Sequence, residues 1–151
     1  MIGRFPFRRP APAGMAEPRH LTGTNRRHPK NRPMPDIHKH QTPEMHECIH
    51  NCADAHDLCL HAIHDCLKKG GEHAGAEHIG LMMDCVAICH AAEDAMLRHS
   101  PVHGAFCQAC ATVCEACAKS CEAKGDADCA EACRKCAKSC AEMAKMQPHM
   151  H

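Results

Sequence analysis

The stretch FCQACATVCEACAKSC, Phe106 to Cys121, carries cysteines at 107, 110, 114, 117 and 121, in steps of three and four. That is the rhythm of core contacts along a helix, where leucine or isoleucine normally sits. The other cysteines keep it. Cys48, Cys52, Cys59 and Cys66 form one series with Met45, Ala55 and Ala62. Cys85 and Cys89 stand in a second with His78, Met82, Ala92, Met96 and His99. His103 precedes Cys107, and Cys129, Cys133, Cys136 and Cys140 form a last series closed by Met143. All fifteen cysteines of the chain fall on a or d positions of heptads. Thiol, thioether and imidazole so arranged are an inventory of soft and borderline metal ligands.

Several chemistries compete for such thiols. Disulfides fit poorly, because cysteines at i and i+4 of a helix lie along one face, badly placed for the required dihedral, and an odd count leaves one unpaired. Thiol redox catalysis would use a C-x-x-C pair such as Cys107/Cys110, Cys114/Cys117 or Cys133/Cys136. Redox pairs sit at a helix N-terminus after a strand, whereas these recur in mid-helix. A carboxylate-bridged di-iron site needs two inward Glu-x-x-His motifs, and only Glu47/His50 has the spacing, off the cysteine seam. Metal-thiolate binding remains. Buried thiolates must be neutralised by cations. Zinc in an isolated four-thiolate site leaves residual negative charge and wants four convergent ligands. Monovalent copper with two or three bridging sulfurs approaches one ion per thiolate and near-neutrality. The pairs Cys48/Cys52, Cys85/Cys89, Cys110/Cys114, Cys117/Cys121, Cys129/Cys133 and Cys136/Cys140 suit low-coordinate Cu(I). Multiple Cu(I) ions are therefore expected, with zinc or cadmium sequestration as the rival and a thiol-disulfide oxidoreductase behind it.

Four helices must position these side chains. Thr42-Pro43 is a cap followed by proline at the first helical position, and Gly70-Gly71 ends that helix. A second helix is expected from about Glu72 to His99. Ser100-Pro101 repeats the opening signal, Gly125 stops the third helix, and Asp126 or Asp128 caps the fourth, which ends before Pro148. No segment alternates with strand period. Lengths of about 22–28 residues and short links predict an all-α, antiparallel up-down-up-down four-helix bundle with a Cys-lined core. Ile49, Leu58, Ile63, Ile79, Leu81, Val86, Ile88, Phe106 and Val113 flank the seams as apolar packing. Ala130, Ala132, Ala137, Ser139 and Ala144 let the fourth helix approach its neighbours closely.

In that layout one end gathers Met45, Met96, His99, His103 and Met143, a candidate mouth for metal uptake. Near the other end His78 and Met82 are candidate ligands beside the thiols. His46, His50, His61, His64, His73 and His90 fall off the seams, and His38, His40, His149 and His151 lie in the tails; none is assigned a role.

Charge divides the chain. Residues 1–41 hold nine Lys/Arg against Glu17 and Asp36, and seven of the ten prolines. They read as a basic, Pro-rich disordered arm, followed by an acidic folded metal-storage domain over 42–151. The arm's charge admits contact with nucleic acid, but a tail without function, or a true start at Met34, is the plainer reading. No run of about 18 apolar residues offers a membrane span. Arg8-Arg9 is followed by Pro-Ala-Pro-Ala-Gly-Met and not by an apolar export segment. A cytoplasmic protein with reduced thiols is expected.

The motifs CIHNC, CVAIC, CATVC, CAKSC and CAEAC, spread over four helices across about residues 42–147, resemble those of the bacterial copper storage proteins. The resemblance implies Cu(I) storage by core thiolates without catalysis, a homotetramer of bundles, and a His/Met-containing mouth. Lack of an export signal resembles the cytosolic branch. The basic arm lies outside the family pattern, and the second helix contributes only two cysteines.

Overall fold

The computed structural model describes residues 39–146, which fold as four α-helices: α1 (Pro43–Lys69), α2 (Ala76–Leu97), α3 (His103–Ala123) and α4 (Ala127–Lys145). Each helix packs on the next, and α4 packs back on α1, while the diagonal pairs meet through cysteine side chains on the axis. With links of a few residues, this is the expected up-down-up-down bundle with one axial core. Residues 1–38 and 147–151, including most of the arm, His38, His149 and His151, lie outside the described residues.

The helix ends follow local chemistry. Thr42 Oγ1 accepts from the Met45 N–H at 3.2 Å, with Pro43 behind it. Gly70, at φ 69°, ends α1 by donating its N–H to the Cys66 carbonyl at 3.1 Å. One short link does two jobs between α3 and α4. Gly125 takes φ 81°, which lets the Asp126 N–H reach the Cys121 carbonyl at 2.9 Å. The Asp126 carboxylate then accepts from the Cys129 N–H at 3.0 Å and starts α4.

Three boundaries differ from expectation. α2 does not start at Glu72: Gly71–Ala74 is a separate 3₁₀ turn, and Gly75 is extended at ψ 139°, so the α-helix begins at Ala76. At the far end of α2, His99 adopts φ 52°, a left-handed conformation usually left to glycine. It closes a C-cap in which Ser100 N–H reaches the Ala95 carbonyl at 2.9 Å and His99 N–H the Met96 carbonyl at 3.1 Å. Ser100-Pro101 therefore forms the turn itself. Ser100 Oγ accepts from the Val102 N–H at 3.3 Å, and α3 begins only at His103. α3 and α4, with 21 and 19 residues, are shorter than expected.

The core is built of Cys, Ala and Met, with Ile49 its one buried branched aliphatic side chain among the described residues. Ile63, Ile79, Val86, Ile88, Phe106, Val113 and Ala144 are half-buried and pack against it. Ala130, Ala132, Ala137 and Ser139 are buried, as close helix approach requires. Leu58, expected on the flank, is exposed instead.

Candidate metal centre

All fifteen cysteines are buried, and the sulfurs of all but Cys66 form a continuous file along the bundle axis. At one end Cys48, Cys107 and Cys140 converge. Cys140 also joins Cys52, Cys110 and Cys136, and Cys110 and Cys136 join Cys89 and Cys114 in turn. In each group the sulfurs lie within 4.8 Å of one another. Cys85 connects this file to the next group, reaching Cys114 at 3.5 Å and Cys133 at 3.7 Å. Cys59, Cys85, Cys117 and Cys133 form that group, and Cys59 leads on to Cys129 at 3.4 Å. Cys129 touches Cys121 at 3.4 Å. Facing helices thus place most of these thiols against thiols of two or three others, which the three-four spacing makes possible and antiparallel packing completes.

Beyond Cys129 the file ends in a mixed pair. Cys66 Sγ lies 3.5 Å from His78 Nε2, and His78 Nδ1 lies 2.7 Å from Ser120 Oγ. Ser120 is not a candidate ligand from sequence, since nothing in a helical pattern marks which hydroxyl meets a histidine on the neighbouring helix. With Nδ1–H donated to Ser120, Nε2 presents its lone pair to Cys66, the outer-shell support usual for ligating histidines. Burial, and then the Lys124 charge, lower the His78 pKa, keeping the ring neutral and able to ligate. Met82 is fully buried in the core between these ends.

At the opposite end Met96 and Met143 are buried, and Met45 is half-buried against the same core. His103 Nδ1–H donates to the Ser100 carbonyl at 2.9 Å. Because a carbonyl can only accept, Nε2 of the neutral ring carries the lone pair. That atom is buried and has no hydrogen-bond partner. It is an orphaned acceptor at the end of the thiol file, of the kind native cores seldom leave without a role. His99 departs from expectation: its left-handed cap turns the ring out to solvent, where it stands edge-on to His40 at 6.5 Å between centroids.

Protonation within the file is shared. Cys48 is lowered by S–H donation from Cys107 and Cys140, and Cys110 by Cys114 and Cys136. Cys85 is lowered by Cys114 and Cys117, and Cys129 by Cys117 and Cys121. The donors shift the opposite way: Cys107 is raised by its bonds to Cys140 and Cys48, and Cys121 by Cys117 and Cys129. For Cys66 burial itself raises the thiol. Without metal, neighbouring sulfurs thus share their protons through S–H contacts, and ionising one thiol opposes ionising the next.

The copper storage protein family model matches residues 41–145, the whole bundle. The chain belongs to the copper storage protein family. Solved structures agree with that membership. A Nitrosospira multiformis protein is 39% identical at TM-score 0.67, over 68% of this chain and 96% of its own. Copper storage protein 3 of Bacillus subtilis, in its Cu(I)-bound form, is 35% identical at TM-score 0.63, over 67% and 98%. A histidine-to-alanine variant of Streptomyces lividans Ccsp is 32% identical at TM-score 0.64, over 70% and 95%. A search of curated proteins finds no match. As in any store built on soft ligands, the cargo of this copper storage family member must suit sulfur at low coordination number, and a file of shared thiols suits Cu(I).

Proposed function

We infer that this protein stores and buffers multiple Cu(I) ions, held as clusters bridged by core cysteines. The observation that carries the reading is the unbroken sulfur file, in which Cys110, Cys136 and Cys140 each belong to two ligand groups at once. Shared sulfurs favour a monovalent ion, since each Cu(I) displaces about one proton and the core stays near neutral. All fifteen cysteines, with His78 and Met82, serve as ligands in this reading. Met45, Met96, Met143 and His103 pass copper inward from their end, with His103 Nε2 as the imidazole of that relay. The protein acts without catalysis, in the cytoplasm; no helix among the described residues is long and apolar enough to cross a membrane.

The test is titration of reduced protein with Cu(I) against a competing chelator. Roughly one ion per thiolate is expected, and saturation at one or two ions would sink the storage reading. Tighter retention of zinc or cadmium than of Cu(I) would favour the divalent alternative, and turnover of a disulfide substrate by metal-free protein would favour the oxidoreductase. Bundles assemble as homotetramers in this reading, which sedimentation equilibrium would refute by returning the monomer mass.

A further inference from the structure

On the outer side of α1, away from the thiol file, the sequence His46-Glu47-Cys48-Ile49-His50 places two histidines at i and i+4. Cys48 and Ile49 turn inward and are buried, while His46 is half-buried and His50 exposed on the outer side of the same two turns. Their rings meet at 4.4 Å between centroids, tilted by 69°. The two Nε2 atoms lie 3.2 Å apart. At that distance one ring can donate its Nε2–H to the lone pair of the other, and with both hydrogens on Nδ1 the two lone pairs can face a single cation.

The bite fits a metal. With metal–nitrogen bonds of about 2.0–2.1 Å, two nitrogens separated by 3.2 Å subtend roughly 100° at the ion, close to a tetrahedral angle. H-E-x-x-H on a helix is a known way of presenting two imidazoles to zinc. Glu44 and Glu47, exposed in the first two turns, offset the positive potential of the helix start, which would otherwise oppose a cation.

We propose that His46 and His50 form an external metal site that binds one borderline divalent cation, of which Zn(II) is the type, through imidazole nitrogen. Its chemistry separates it from the core. Sulfur along the axis selects a soft monovalent ion, while paired neutral imidazoles select divalent Zn(II), Ni(II) or Cu(II). Solvent completes the coordination, so the ion exchanges freely and leaves the stored copper in place.

The experiment loads the full chain to saturation with Cu(I), dialyses it to equilibrium against buffered Zn(II), and measures zinc per chain above the dialysate with the zinc X-ray absorption spectrum. Wild-type protein is expected to keep a zinc whose nearest shell is nitrogen and oxygen with imidazole scattering. H50Q, and the double variant H46Q/H50Q, should each lose one zinc per chain with copper content and helicity unchanged. Equal zinc in the variants and wild type, or a shell dominated by sulfur, overturns the proposal. Copper capacity is read on the same samples, so failure of the storage reading registers separately from failure of this site.

Discussion

Replacing Cys136 by alanine tests whether the sulfurs act as one shared file. Its sulfur lies 3.6 Å from Cys52, 3.7 Å from Cys110 and 3.8 Å from Cys89, and it belongs to two of the four ligand groups. Cys66 is the contrast: it is also buried, but belongs to none of those groups and faces His78. Removing either sulfur leaves a cavity of roughly 20 Å³, costing about 0.5 kcal/mol at ~24 cal/mol per Å³. Loss of transfer free energy for one apolar atom adds about 0.8 kcal/mol. The sum, about 1.3 kcal/mol, is small against a typical stability of roughly 5–15 kcal/mol, so both metal-free variants should fold. Copper capacity should separate them. With each Cu(I) held by two or three bridging sulfurs, Cys136→Ala breaks ligation in both of its groups and should cost about two ions, whereas Cys66→Ala should cost at most about one. Chelator-competition titration counts the ions, and denaturant melts of the metal-free proteins check the folding cost. Equal losses from the two variants, with equal melts, would refute the shared-file argument.

Serine in place of Met45, Met143 or His103 should slow Cu(I) uptake several-fold in stopped-flow loading while leaving final capacity nearly unchanged; unaltered rates would remove the relay at that end. The metal-free bundle should lose stability as pH rises. Thiols such as Cys107, Cys121 and Cys66 have folded pKa values raised above the unfolded one. Their contribution is fully present below the ordinary thiol value of about 8.5 and is lost above it, at about 1.4 kcal/mol per pH unit for each extra proton held by the folded state. Cys48, Cys85, Cys110 and Cys129 act in the opposite sense, each outnumbered by its donors. Denaturant midpoints measured from pH 7 to 10 should therefore fall for metal-free protein and stay flat for the copper-loaded form. A flat metal-free profile would contradict the protonation pattern.

Much of this site was legible in the sequence because heptad spacing dictates which side chains face inward, and no other rule is needed to bury all fifteen thiols. Thr42-Pro43, Gly70, Gly125 and Asp126 were legible for the same reason: a cap or a positive φ leaves a chemical signature. The misreadings arose where two local signals competed. Ser100-Pro101 looks like a helix start, yet the preceding residue must close α2, so His99 takes the left-handed cap and the serine is consumed in the turn. That single conformational choice leaves the His99 side chain exposed, where the heptad pattern alone expects it on the seam. The same reach of tertiary packing hides the Ser120 contact to His78, and it decides which S–H donates to which sulfur. Periodicity fixes a face but not a pairing across the bundle.

The choice of cysteine over a mixed core also explains how a store can be filled without refolding. A structural zinc module is unfolded when empty, because its ligands have no other reason to converge. Here the empty core is already packed: neutral thiols behave as small apolar side chains, and their S–H groups satisfy one another at 3.4 to 4.0 Å. Exchanging a proton for Cu(I) leaves each sulfur's charge balance nearly unchanged, so loading alters bond lengths within the file more than the register of the helices around it. The half-buried ring of Ile63, Ile79, Val86, Ile88, Phe106 and Val113 touches the file only from outside and need not move. Stability therefore resides largely in that apolar shell and the alanine-lined helix contacts, while capacity resides in the axis. Substitutions in the shell should destabilise the bundle without selectively lowering its copper count, and substitutions in the axis should do the reverse.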